Sequence, residues 1–403
     1  MEESLKSLMR TTRIYIHILL AVVATLAIPS AALAMEQSFP IGWYAGWNNI
    51  PGLYNTVGAE HVLLYTYWSD DVEDKLQVAL DDAASVGSRI ILDVRLGVNN
   101  LDATRLASVA SQFSSHPALG GWYTADEPVS APVIYTVATL QTAYNIVKQY
   151  SNKPVYMAFC TADLDFSTPA TFKNAYDVMM FDQYPFQVGD AEFDDIEDEY
   201  FLIWRTYEGW KSRVQRARDQ ATAAGKPFYN ILQAFGVEPA YGWNYRLPTK
   251  REERFMAYYS LLSAHADGLT SFCYFLTEGT VASPTTPYPY DGPQWLLDVG
   301  GPVNQELHTY GRALAAGAIG GGVSDTASDV DCSLYRDPTT GAYYLLSVNT
   351  ESGGENVTFT LNVPEEFDFA VPMYEDEPPI PIINGQFPVS FDDYAVHNYQ
   401  LTP

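Results

Sequence analysis

Residues 120–150 read GGWYTADEPVSAPVIYTVATLQTAYNIVKQY, and the segment changes period partway through. An apolar run closing on Asp126-Glu127-Pro128 has the length and punctuation of a strand. Beyond it Val133, Val137, Leu140, Tyr144 and Val147 recur at spacings of four and three, one stripe of an α-helix. Pro132 suits that helix's first turn and Ser130 its cap. The segment is therefore a strand followed by a crossover helix, and the same rhythm repeats eight times between Phe39 and about Gly317.

The strands predicted by this rhythm are 40–47, 61–68, 89–95, 120–127, 154–160, 176–184, 227–235 and 268–278. Thr249-Lys250-Arg251-Glu252 is a capping box opening the seventh helix, and Val303, Leu307, Tyr310 and Leu314 form the stripe of the eighth. Eight such units predict an α/β fold, a closed (β/α)8 TIM barrel spanning 35–320. An open doubly wound sheet is the alternative, but no Gly-rich phosphate loop follows the first strand. After the Gly/Ala-rich run 315–322 the helical period stops. Strands at 332–335 and 343–349 flank the turn Asp337-Pro338-Thr339-Thr340-Gly341, and 357–363 alternates apolar and polar residues. With two more strands in 382–401, residues 321–403 read as a small antiparallel β-sandwich packed on the barrel. It contains no tryptophan, since all 8 lie before residue 296.

Lys6, Arg10 and Arg13 precede an apolar run from Ile14 to Ile28, and Ala32-Leu33-Ala34 supplies a small-x-small cleavage pattern. Residues 1–34 are thus expected to be a signal peptide, with the mature protein secreted or periplasmic and free of the membrane. An apolar run of about 15 residues is short for a span, which needs about 20. A net charge of -27 repels phosphate backbones and argues against nucleic acid. The 3 cysteines and 6 scattered histidines suggest neither a disulfide scaffold nor a histidine-built metal centre, and no cofactor is expected. The acidic run 190–199 lacks the order of a calcium loop and reads as a solvated loop.

In such a barrel the chemistry sits at the carboxyl ends of the strands. There the chain places Trp47, Tyr67, Trp68, Asp93, Arg95, Asp126, Glu127, Asp182, Tyr184, Gln233 and Glu278, mostly carboxylates and aromatics. Acids on different strands ringed by Trp and Tyr suit glycosidic cleavage. One carboxyl protonates the leaving oxygen, and the other attacks the sugar or activates water. Glu127 is the expected acid, and Asp126 and Asp182 are the carboxylates expected to work with it. Substrate contacts are expected from Trp47, Tyr67, Trp68, Arg95, Tyr184, Gln233, Trp243 and Glu278, although Arg95 better suits an ion pair with Asp93 at the barrel rim and the tryptophans equally suit a cover for the barrel mouth. Trp43 and Trp122 read as core, and Cys160 and Cys273 as buried thiols.

The segment 120–128 resembles the (β/α)8 glycoside hydrolases whose acid/base glutamate ends strand four in Asn-Glu-Pro, with Asp126 in place of the Asn. The stretch 231–274, with Gln233-Ala234-Phe235, Arg246-Leu247-Pro248-Thr249 and His265-Ala266-Asp267-Gly268, resembles strands seven and eight of bacterial β-galactosidase-like barrels, and the C-terminal module is similar to their accessory β domains. The resemblance implies a nucleophilic glutamate at the end of strand seven, where this chain has Gln233, an amide. Asp182 is therefore the first choice for the second carboxylate, Glu278 the second and Glu238 the third. Strands lie about 4.8 Å apart, so carboxyls on strands four and six converge to about 5–9 Å. The Asp126-Glu127 pair also resembles substrate-assisted N-acetylhexosaminidases, in which the Asp orients the acetamido group. A non-catalytic carbohydrate-binding barrel is the remaining alternative.

Overall fold

The computed structural model describes residues 38–45, 50–64, 72–95, 98, 102–129, 135–165, 167–186, 207–236, 245–272 and 292–403. The expected leader, Trp47, Tyr67, Trp68, Trp243, Glu238, Glu278, Cys273 and the acidic run 190–199 lie outside the described residues. Eight parallel strands close into a barrel in sequence order, with β1 (Ile41–Ala45) pairing both β2 (His61–Leu64) and β8 (Gly268–Phe272). Between them run β3 (Arg89–Asp93), β4 (Leu119–Asp126), β5 (Val155–Cys160), β6 (Val178–Asp182) and β7 (Phe228–Gln233). The predicted TIM barrel is the observed architecture.

The crossovers include α1 (Ile50–Val57), α2 (Val72–Val86), α3 (Ala103–Phe113), α4 (Val137–Tyr150), the short α5 (Thr161–Asp165) and α6 (Thr168–Phe172), α7 (Tyr207–Ala224) and α8 (Lys250–Leu262). Beyond β8 follow α9 (Gly292–Trp295), a π-helical turn at Leu296–Gly300, and α10 (Gly301–Ala316). Helix α4 starts later than its apolar stripe suggests. Thr136, rather than Ser130, is its cap, accepting a hydrogen bond from the Thr139 amide. The capping box at α8 forms as read: the Thr249 hydroxyl accepts from Glu252 N, and the Glu252 carboxylate accepts from Thr249 N at 2.7 Å. The same carboxylate makes a buried bidentate pair with Arg246 at 2.6 and 2.7 Å. Thr249→Ala is expected to cost about 1 kcal/mol, read as a fall in the urea midpoint at constant slope. An unchanged midpoint would mean the ion pair holds the helix end alone.

Barrel strands bury both faces. Trp43, Trp122, Leu64 and Leu92 point outward into one core with the helices, whereas Tyr44, Leu63, Ile91, Tyr123, Tyr156, Val178, Met180 and Ile231 fill the interior. The rings of Tyr156 and Tyr229 pack edge-on at 5.7 Å, close over Gly121 and Gly268, where a Cβ would lie 2.4 and 2.5 Å from ring carbons. The lower barrel is thus plugged, and polar side chains collect at the upper end.

The C-terminal strands form a five-stranded sheet ordered β10-β11-β16-β13-β14 against a three-stranded sheet ordered β15-β12-β9. The five-stranded sheet comprises β10 (Val330–Arg336), β11 (Tyr343–Asn349), β13 (Phe369–Pro372), β14 (Ile380–Pro381) and β16 (Val396–Thr402). The other comprises β9 (Val323–Ser324), β12 (Glu355–Leu361) and β15 (Gln386–Phe391). Strands β9, β13 and β14 carry too short a pattern for sequence reading. Strand β11 is buried on both faces: Leu345 joins the sandwich core, while Tyr344, Leu346 and Val348 join the barrel-helix core. A buried Glu306 carboxylate on α10 accepts from Arg254 and Tyr258 of α8 and from Asn398 of β16, tying the two modules together.

Candidate active site

The site is built around an irregularity in β4. Tyr123 pairs with Tyr156 and Ala125 with Met157, so Thr124 is an extra residue without a partner on β5. A bulge of one residue inverts which side chains face inward. In an unbroken strand Tyr123 and Asp126 would face opposite ways. Here they share a side, and the Tyr123 hydroxyl donates to Asp126 Oδ1 at 2.7 Å. Arg95 Nη1 donates to Asp126 Oδ2, while Arg95 Nε and Nη2 make 3.1 and 3.0 Å bonds to the two oxygens of Asp93, itself fully buried. The Tyr44 hydroxyl donates to that of Tyr123 at 3.3 Å and extends the network to β1. Arg95 thus forms the ion pair with Asp93 that the sequence favours, and pairs with Asp126 as well.

Glu127 follows directly, half-buried, with φ at 46°. A left-handed backbone at a non-glycine residue costs about 1–3 kcal/mol and persists only where surroundings impose it. Its amide donates to Ala158 O on β5 at 3.0 Å, holding the strained residue at the barrel rim. Burial pushes the Glu127 carboxyl up to about 7, reinforced by the negative charges of Asp126 and Asp163 and opposed by Arg95. Asp182 ends β6, on the same face as Val178 and Met180. Its Oδ2 accepts from the Tyr184 hydroxyl at 3.2 Å, and its buried Oδ1 has no hydrogen-bond partner among the described residues. Burial raises its proton affinity well above the ordinary carboxylate range, and the charge of Glu127 is the next cause. The register pairs Asp126 with Ala158 and Cys160 with Asp182, so Glu127 and Asp182 reach nearly one level on either side of β5. The effect between the two carboxyls runs from Glu127 to Asp182, whose ionisation the Glu127 charge disfavours.

An aromatic wall stands beside them. Tyr184 stacks on Phe272 at 5.6 Å and meets Phe235 edge-on at 4.9 Å and Tyr245 at 6.0 Å, while Tyr44 meets Phe272 at 5.1 Å. Gln233 requires a correction. It is fully buried, its Oε1 accepts from Phe186 N at 2.9 Å, and its Nε2 donates to the carbonyls of Phe186 at 3.0 Å, Arg246 at 2.8 Å and Phe235 at 3.3 Å. This amide is a strut between the segments following β6 and β7, with no group left for a sugar. A carboxylate there could not donate to three carbonyls. Gln233→Glu is accordingly expected to destabilise the fold by about 2 kcal/mol or more and to add no turnover. A stable, more active variant would return this position to the chemistry.

Tyr44, Tyr123 and Asp163 were not singled out by sequence reading. The two tyrosines lie inside apolar strands, where a hydroxyl's partner depends on the neighbouring strand. Asp163 sits in α5 without any motif around it. Cys160 is half-buried rather than fully buried, whereas Trp43 and Trp122 are core as read.

No family model and no curated protein matches the chain. Solved structures do. The chain is similar to Eubacterium rectale Amy13B, at 9% identity over 90% of this chain and 96% of that one, with a TM-score of 0.54. A noncanonic maltogenic α-amylase from Thermotoga neapolitana aligns at 9% identity over 90% and 98%, with a TM-score of 0.53. A family 39 glycoside hydrolase from Bacteroides cellulosilyticus aligns at 10% identity over 91% and 82%, with a TM-score of 0.51. These neighbours are glycoside hydrolases, and at such identities they establish a shared fold.

Proposed function

We propose that this protein is an exported glycoside hydrolase in which Glu127 and Asp182 perform the cleavage of an O-glycosidic bond in an oligo- or polysaccharide. The observation that carries the reading is the pair itself: two carboxyls at the ends of β4 and β6, both with raised proton affinity, beside an aromatic wall at the carboxyl end of the barrel. In its acid form Glu127 gives its proton to the glycosidic oxygen as the bond to the anomeric carbon breaks. Asp182, as carboxylate, either bonds to that carbon, giving a glycosyl ester that water later hydrolyses, or takes the proton of a water attacking from the opposite face. The fold shared with amylases and a family 39 enzyme supports a carbohydrate substrate. Export rests on the basic and apolar N-terminal pattern ending at Ala34.

Substrate assistance is the weaker reading. It needs Asp126 free to hold an acetamido group, but both oxygens of Asp126 already accept from Tyr123 and Arg95. The non-catalytic reading takes Gln233 as a lost nucleophile, and Asp182 as the second carboxylate answers it. A reducing-sugar release screen of residues 35–403 against plant, marine and microbial polysaccharides is the test. Binding without release across glycans the protein demonstrably retains would overturn the hydrolase.

A further inference from the structure

The Asp163 carboxylate is fully buried on α5, and among the described residues it pairs with no cation. Its Oδ1 accepts from the amide of Val129 at 3.0 Å and its Oδ2 from the amide of Cys160 at 2.9 Å. The first bond ends the turn containing Glu127, and the second ends β5. Together with the bond from Glu127 N to Ala158 O and that from Tyr135 N to Pro128 O, it pins the 127–129 turn onto β5. Burying a carboxylate is costly unless it is paired or hydrogen-bonded, and here main-chain amides supply those bonds.

We propose that Asp163 is the positioning residue of the site, its two main-chain bonds holding the turn in which Glu127 takes its left-handed backbone and projects into the barrel mouth. This rests on the reading of Glu127 as the acid. Asp163 touches no substrate and acts through the turn. Its charge is also one of three that bear on Glu127, with Asp126 on β4 and Arg95 beyond β3.

Two substitutions separate position from charge. Asp163→Asn keeps the shape, but its amide nitrogen faces one of the two donors and the charge is gone. It is expected to lower kcat by about 10²-fold with KM little changed and to move the basic limb of the pH profile to lower pH. Asp163→Glu keeps the charge and misplaces the acceptors, so it should lower kcat without moving that limb. Phe359→Leu in the sandwich core serves as the control for lost stability alone. A readout independent of turnover is the NMR titration of the Glu127 carboxyl together with exchange of the Val129 amide in the substrate-free protein. In Asp163→Asn that titration should fall and the amide should exchange faster. If both variants keep wild-type kcat, titration and exchange, or lose activity only in step with melting temperature as the control does, the proposal fails. A wild type that cleaves no glycan while the titration and exchange respond as expected would refute the hydrolase and leave Asp163's positioning of the turn standing.

Discussion

Glu127→Gln is expected to lower kcat by about 10²–10⁴-fold, the range for a lost general acid, with the melting temperature unchanged or slightly raised. The amide matches the carboxyl in shape but has no proton to transfer. Fold stability should not suffer, because the carboxyl it replaces is held half-buried against Asp126 and Asp163, which raise its proton affinity through unfavourable interactions with its charged form. Two further signs follow. The wild-type rate should fall on the basic side with a midpoint near 7, because the acid form of Glu127 is lost there. Substrates with a good leaving group, such as an activated aryl glycoside, should lose less in the variant because their departing oxygen needs less protonation. Turnover by Glu127→Gln comparable to wild type on a natural glycan would remove Glu127 from the chemistry.

Asp182→Asn is expected to cost a similar factor, about 10²–10⁴. The charges that raise Glu127 beyond the effect of burial are those of Asp126 and Asp163, whereas Asp182 is itself raised by Glu127, so the basic limb of any residual activity should stay near 7. The anomeric configuration of the first product, read by NMR, separates the two possible roles: retention if Asp182 bonds to the sugar, inversion if it serves water. Full activity in Asp182→Asn beside an inactive Glu127→Gln would pass the second role to the substrate itself or to Glu278.

The barrel was legible because each of its eight units carries its own pattern. The strands drawn from Phe39 onward all occur, and the capping box at Thr249 and the stripe from Val303 to Leu314 form as read. The start of α4 was not, since Val133 belongs to the stripe by spacing while Thr136 caps the helix. The bulge at Thr124 was equally invisible, because nothing local distinguishes an extra strand residue from a paired one until its partner strand is in place.

What the sequence alone determined is the repeating strand-helix unit, the all-β tail and the placement of acids and aromatics at strand ends, all consequences of periodicity over a few residues. Only the tertiary structure decided which of those polar groups are free to act. Asp126 is held by Arg95, 31 residues away in the chain, Gln233 by Phe186 at a separation of 47, and the Val129 amide by Asp163 at 34, whereas Asp182 keeps one buried oxygen without a partner among the described residues. The physical reason is that hydrogen-bond saturation and loss of water are set by neighbours brought together when the barrel closes, and no local pattern records them.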